Sequence, residues 1–144
     1  MKNKTDWIKK DDIERKWYVV DVKGQILGRA ATQIASLLIG KRKVKQVPSL
    51  DCGDFVVVLN SDKIKLTRGK ERTKTYFRHS GYPGGKKEIT FDKQMAKNSN
   101  FVIERAVKNM LPKNKLQSSM MQRLYVYRGE EHPHEAQKPE VFKL

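Results

Sequence analysis

The chain has one cysteine, Cys52, so it can form no internal disulfide and offers no cysteine cluster for zinc. It lacks any long apolar run: Phe55-Val56-Val57-Val58-Leu59 is the longest, far short of a membrane span. The first residues, Met1-Lys2-Asn3-Lys4-Thr5-Asp6, lead into no apolar stretch, and no signal peptide is expected. Acid is scarce. Asp and Glu number 16 against 31 Lys and Arg in 144 residues, leaving a net charge of +15 and a pI near 10.0. A soluble protein of a reducing compartment is the expectation. What is present in quantity is a moderate core: Leu, Ile, Val and Phe make up about a quarter of the chain, too many for a disordered basic tail. One domain with a modest core follows.

A charge of this size repels itself in a compact chain and must be solvated or neutralised by a polyanion. It is concentrated. From Lys63 to Lys87 run Lys63, Lys65, Arg68, Lys70, Arg72, Lys74, Arg78, Lys86 and Lys87, opposed by Glu71 alone. A second knot is Lys41, Arg42, Lys43 and Lys45. A single charge run is usually a solvated face, but two dense clusters with little acid nearby point to nucleic acid. Neither has the apolar insertion face of a membrane-surface helix. Tyr76, Phe77 and Tyr82 interleave with the Lys63–Lys87 run, and Tyr125 and Tyr127 adjoin Arg128. Aromatic faces beside guanidinium planes suit unpaired RNA bases better than duplex DNA.

Trp17 to Val22 is β-branched and aromatic, a strand ending at Lys23-Gly24-Gln25. Leu27, Ala30, Ala31, Ile34 and Leu38 then recur at helical spacing, with Gly40 placed as a left-handed C-cap. Phe55 to Leu59, without alternation, reads as a strand buried on both faces, and the order strand, helix, strand predicts a parallel right-handed unit. Lys63 to Leu66 alternates as a short strand, and Lys74 to Phe77 as another, before the turn-rich stretch from His79 to Gly85. Thr90 to Lys97 is a predicted short helix. Asn100 is the expected cap of a helix whose apolar face is Phe101, Val102, Ala106, Val107 and Met110, limited by Pro112. Leu116, Met120 and Leu124 predict a third helix, and Leu124 to Tyr127 a final strand. The polar stretch from Arg128 to Leu144, with Pro133 and Pro139, is expected to wrap the surface as an extended tail.

Motifs of catalysis are near-misses. Gly24 and Gly28 are spaced too loosely for a dinucleotide fingerprint, and turn glycines are the better account. Gly81-Tyr82-Pro83-Gly84-Gly85-Lys86-Lys87 is one residue short of a phosphate loop, and Lys87 stands where a magnesium-binding Ser or Thr belongs. Such a turn can still lay backbone N–H groups against nucleic-acid phosphates. Ser80 is preceded by Arg78-His79 and forms no nucleophile elbow. His132-Pro133-His134 among glutamates is a poor ligand set for a metal, and its histidines read better as hydrogen-bonding groups that hold a tail. Cys52 reads as structural. No enzyme, cofactor or metal is expected.

At Arg78-His79-Ser80-Gly81-Tyr82-Pro83-Gly84-Gly85 the chain resembles the bacterial large-subunit ribosomal protein thirteen family. Trp17-Tyr18-Val19-Val20-Asp21 with Leu27-Gly28-Arg29, Gly40-Lys41 through Lys43, Pro48, Asp51, Gly53-Asp54 and Asn60 continue the match. So do Met110-Leu111-Pro112-Lys113 and Tyr127-x-Gly129-x-Glu131-His132-Pro133-His134-x-Ala136-Gln137, so that residues 15–139 are covered. The resemblance implies a three-layer α/β/α fold with a small, mainly parallel four-stranded sheet and extended terminal segments. It implies a structural part of the large ribosomal subunit that binds large-subunit rRNA early in assembly, beside other subunit proteins, in the cytoplasm. Residues 1–16 are expected as an N-terminal extension, 17–128 as the RNA-binding domain and 129–144 as the tail.

Expected phosphate contacts are Lys41, Arg42, Lys43 and Lys45 in one loop, with Arg68, Lys70, Arg72 and Lys74, then Arg78, Gly84, Gly85, Lys86 and Lys87, on a second surface. Arg29, Lys108, Lys113, Lys115 and Arg123 join them. His79, Tyr82 and His134 are candidates for base or sugar contacts, and His132 is a further candidate RNA contact. Three departures from the family pattern stand out. Asn109 and Gln117-Ser118 replace a usual glycine and a usual Gly-Arg, so Arg123 or Lys115 is expected to supply the missing cation; Arg68-Gly69 stands where Thr-Gly is usual. The alternatives that composition leaves are a free regulator of messenger RNA and, from another class, a nucleotide or phosphate-ester enzyme.

Overall fold

The computed structural model describes residues 8–144. Sequence readings that touch residues 1–7 lie outside the described residues. The expected first strand is β1 (Trp17–Asp21), followed by the helix α1 (Leu27–Ile39) and by β2 (Phe55–Leu59). These three form the predicted unit: β1 pairs with β2 in parallel, Trp17 opposite Phe55 through Asp21 opposite Leu59. Gly40 ends α1 at φ +79, and the space beside it is closed, since a Cβ there would meet the Cys52 carbonyl at 2.7 Å. That position requires glycine on both counts. Gly24 makes the expected turn at φ +71, whereas Gly28 lies inside α1.

The chain continues through α2 (Lys70–Thr73), β3 (Thr75–His79), β4 (Lys86–Thr90), α3 (Phe91–Lys97), α4 (Ser99–Met110), α5 (Gln117–Met121), β5 (Leu124–Val126) and β6 (Glu140–Phe142). The sheet order is β5-β2-β1-β6, parallel throughout. A four-stranded parallel α/β sheet is thus as expected, but its fourth strand comes from the tail. The end of the tail pairs along β1, Tyr18 opposite Glu140.

Alternation along the strands sorts the side chains onto two faces. Val20, Val22, Val56 and Val58 pack with α1 (Ala31, Ile34, Leu38), α3 (Phe91), α4 (Val102, Ile103, Val107) and α5 (Met120) in one large core. Each fully buried Val, Ile or Leu in it contributes roughly 1.5–3 kcal/mol. Val19, Val57 and Leu59 face the other way, under Trp17, Tyr125 and Tyr127. Because β5 and β6 are the opposite edges of the sheet, residues 127–139 must cross from one to the other. They lay His134 against Trp17 and Tyr125, ring centroids 5.1 and 4.6 Å away, and add a 3₁₀ turn at Glu135–Gln137.

Several local expectations are corrected. Lys63 to Leu66 is no strand: Ser61–Lys63 is a 3₁₀ turn, and a single bridge joins Lys65 to Ile26. The cap of α4 is Asn98, whose carboxamide oxygen accepts from the Asn100 and Phe101 N–H groups. Asn100 is used elsewhere. Its Nδ2 donates to the Val126 carbonyl and its Oδ1 accepts from Ser61, whose Oγ also lies 2.8 Å from Ser99 Oγ. This buried polar knot ties the start of α4 to the ends of β2 and β5. The buried face of α4 contains Ile103, while Phe101 and Met110 stay exposed. The predicted helix through Leu124 stops at Met121, and Leu124 begins β5.

Candidate nucleic-acid interface

Charge and exposure meet most clearly in the hairpin β3–β4. It forms a sheet of its own, antiparallel, with Tyr76 opposite Ile89 and Arg78 opposite Lys87. Tyr76 and Ile89 are half-buried against the body, while Phe77, Arg78, His79, Lys86 and Lys87 are exposed. A strand pair with so little buried surface is held by its ladder and by its turn. In that turn Gly81 and Gly84 have φ of +90 and +71. A Cβ on Gly85 would lie 2.0 Å from Ser80 Oγ, so the expected glycines are required by geometry.

The turn's amides answer the phosphate expectation in part. Gly85 N–H donates to the Tyr82 carbonyl at 2.9 Å and Gly81 N–H to His79 Nδ1 at 2.9 Å, so both are consumed internally. The expectation of Gly85 as a phosphate donor is therefore corrected: its role is steric. Because His79 Nδ1 accepts, the neutral ring carries its proton on Nε2. Tyr82, 75% exposed, and Phe77, 57% exposed, present aromatic faces at and beside the tip. Lys86 lies 2.9 Å from Glu88 and 6.0 Å from the Phe77 centroid.

Arg68, Lys70 and Arg72 are exposed around α2, and Lys74 is half-buried where α2 meets β3. None of these four is ion-paired among the described residues. Arg68 and Gly69 are both left-handed, φ +58 and +67, so the turn is displaced onto a residue with a side chain. Arg29 is exposed in the first turn of α1, and Lys108, Lys113 and Lys115 are exposed at and beyond the end of α4. Gln117 has a structural use, donating to the Lys108 carbonyl at 2.9 Å and so satisfying the end of α4.

The loop after α1 divides. Lys41 and Lys45 are exposed. Arg42 stacks over the Phe142 ring at 4.3 Å and donates to Gln33 Oε1 at 3.0 Å, which orients its exposed guanidinium and fastens β6. Lys43 is corrected. Its ammonium turns inward to Asp54 Oδ1 at 2.6 Å and to the Glu14 carbonyl at 2.6 Å, because the Asp54 carboxylate is buried and needs a cation.

Arg123 is corrected as well. It is buried, its guanidinium forks onto both Asp51 oxygens, and Nη2 donates to the Leu38 carbonyl at 3.3 Å. It locks the 51–54 segment under the end of α1 and supplies no surface charge, so Lys115 is left as the exposed cation of that pair. His134 and His132 also face the body. His134 Nε2 lies 2.9 Å from the Tyr127 hydroxyl, and His132 Nδ1 accepts from the His134 N–H at 3.2 Å. They anchor the crossing tail, and His134, whose ring packs on Trp17 and Tyr125, is withdrawn from the expected base contacts. Cys52 is buried, its Sγ 4.0 Å from the Val47 carbonyl.

Missed by the sequence reading is Arg105, an exposed cation on α4 beside the hairpin. Its spacing of four from Phe101 was the available signal. Between the hairpin and α4 lies a cleft of 590 Å³. Tyr76 forms its inner wall, edge-on to Phe101 at 5.8 Å, and burial raises the Tyr76 phenol above its ordinary 10.0.

The arrangement is a set of exposed cations and aromatics on rigid turns, with no convergent acid, base and nucleophile among the described residues. The family model described as ribosomal protein L13 matches residues 15–133. The chain belongs to the ribosomal protein L13 family. Relatives in the family include the large ribosomal subunit protein uL13 of Symbiobacterium thermophilum, 51% identical over 142 residues, covering 99% of each chain. The protein of the same name from Thermotoga petrophila is 51% identical over 141 residues, covering 98% of this chain and 95% of its own. That of Caldanaerobacter subterraneus is 53% identical over 136 residues, covering 94% and 95%. The family match spans the hairpin, the loop after α1 and the end of α4, so it takes in the whole cationic surface described above.

Proposed function

We propose that this protein is a structural constituent of the large ribosomal subunit, in the cytoplasm, where it binds large-subunit rRNA and supports early assembly of the subunit. Membership of the L13 family, in which full-length relatives carry the large-subunit name, is the observation that carries this reading. The exposed cations support one way for the binding to work. Lys41, Arg42 and Lys45 on one loop, and Arg68 to Lys74 with Arg78 to Lys87 on the other surface, displace counterions from phosphates and clamp separate RNA segments together. Residues 17–128 serve as the RNA-binding domain and 129–144 as a tail that closes the sheet. The partners are rRNA and neighbouring subunit proteins. The role is one of scaffolding, with no reaction catalysed.

The test is RNA affinity against salt. Replacing Arg78, Lys86 and Lys87 together by glutamine should flatten the slope of log affinity on log salt by about two to three units. An unchanged slope would remove the hairpin from the interface.

A further inference from the structure

On α4, Phe101, Arg105 and Asn109 recur every four residues and so form one stripe along the helix. On the hairpin, Lys74, Tyr76 and Arg78 recur every two residues and so share one side of the extended segment that includes β3. The two rows face each other across the 590 Å³ cleft, which all six line. Its volume falls within the range of about 300–1,000 Å³ typical of small-ligand sites. The floor is aromatic, with Tyr76 and Phe101 in edge-to-face contact, and Phe101 keeps 37% of its surface exposed. The rim carries three cations, and among the described residues no carboxylate lines the cleft. Among the described residues none of the three is ion-paired. Asn109 adds an exposed carboxamide, one group that both donates and accepts.

We propose that this cleft receives one unpaired nucleobase, stacked on Phe101, with Asn109 at its polar edge and its flanking phosphates on Arg105 and Arg78. The inference rests on the RNA-binding reading and adds to it a base-reading subsite. Charge decides the occupant: an aromatic floor within a rim of three cations and one carboxamide matches a nucleotide, planar and apolar on its faces and anionic on its backbone. The cleft is also continuous with the hairpin through Arg78, so a strand following the hairpin cations brings its bases to the mouth.

The experiment uses isotope-labelled full-length protein titrated with single-stranded hexaadenylate, with an abasic hexamer of the same backbone, and with a hexaglutamate peptide. Hexaadenylate should move the Asn109 side-chain amide and the Phe101 ring resonances, while the abasic hexamer moves the cation-bearing segments and leaves these two unshifted. Phe101→Ala should weaken hexaadenylate about tenfold and leave the abasic hexamer unchanged. Phe101→Tyr should restore the affinity, and Asn109→Ala, on an exposed position, gives an independent loss should Phe101→Ala disturb the helix. Identical shifts from both hexamers would overturn the base site while leaving RNA binding intact. Stronger perturbation of the cleft by hexaglutamate would overturn it in favour of a protein segment. If neither hexamer moves any resonance, the RNA-binding reading fails and takes the subsite with it.

Discussion

Arg123 separates what a basic sequence suggests from what the fold does with one of its arginines. As an RNA contact, its loss would cost affinity and leave stability nearly untouched. In the structure its side chain is 7% exposed, that of its partner Asp51 is 13% exposed, and a carbonyl of α1 takes a further N–H. Arg123→Met therefore strands the Asp51 carboxylate in a largely dry site. Removing one partner of a buried pair costs about 3–5 kcal/mol, and the residual exposure of Asp51 places this case near the lower end. For a domain of this size about 3 kcal/mol lowers the melting temperature by roughly 6–12 °C. Asp51→Leu combined with Arg123→Met should recover part of that loss, since the pair is then absent on both sides. Thermal melts at neutral pH measure the first effect and RNA affinity against salt the second. A melting point within about 2 °C of the parent, together with a salt slope flattened by nearly one unit, would refute the buried-pair account and return Arg123 to the interface.

The buried Tyr76 hydroxyl has no hydrogen-bond partner among the described residues, and Tyr76→Phe should stabilise the protein by about 1 kcal/mol. Because the folded phenol titrates above 10.0, the unfolded chain releases its proton first. Stability therefore falls as pH rises past 10 and is flat below it for this group, and the phenylalanine variant should lose less at high pH; parallel alkaline losses would contradict this. His134→Ala removes the bond to Tyr127 and the packing on Trp17 and Tyr125, and should cost about 1–2 kcal/mol. Hydrogen exchange at Glu140–Phe142 should quicken with the RNA salt slope unchanged; unaltered exchange would mean the tail is held elsewhere. Arg68→Gly relieves a left-handed side-chain position and should add about 0.5–1 kcal/mol of stability while removing about one unit of salt slope. A slope that does not move takes Arg68 out of the interface.

The sequence was most legible where burial writes a pattern. Phe55 to Leu59 has no polar residue because both its faces are covered, and Gly40 punctuates α1 because the Cys52 carbonyl leaves it no room. It was least legible where nothing is buried. Lys86-Lys87-Glu88 carries no apolar alternation, yet begins β4, because an exposed strand needs no apolar face. Glu140–Phe142, a run of three residues directly after Pro139, is too short to show a period, and its place in the sheet depends on an edge left open by β1. Lys63 to Leu66 shows the converse: Ile64 and Leu66 dip towards the core from an irregular segment and imitate alternation. For the interface, the positions of the clusters were readable, but the fate of each cation was not. Lys43 and Arg123 look like their neighbours until Asp54 and Asp51 are brought beneath them, and the sequence holds no local sign of that approach.

The most direct test of the central claim is sedimentation of a native lysate through magnesium-containing sucrose gradients at low and high salt, with each fraction probed for this chain. The protein should remain with the large subunit at both salt concentrations, because contacts to several RNA segments outlast the loss of any one. Release to the top of the gradient at high salt would contradict a structural role in the subunit and favour a free RNA-binding regulator.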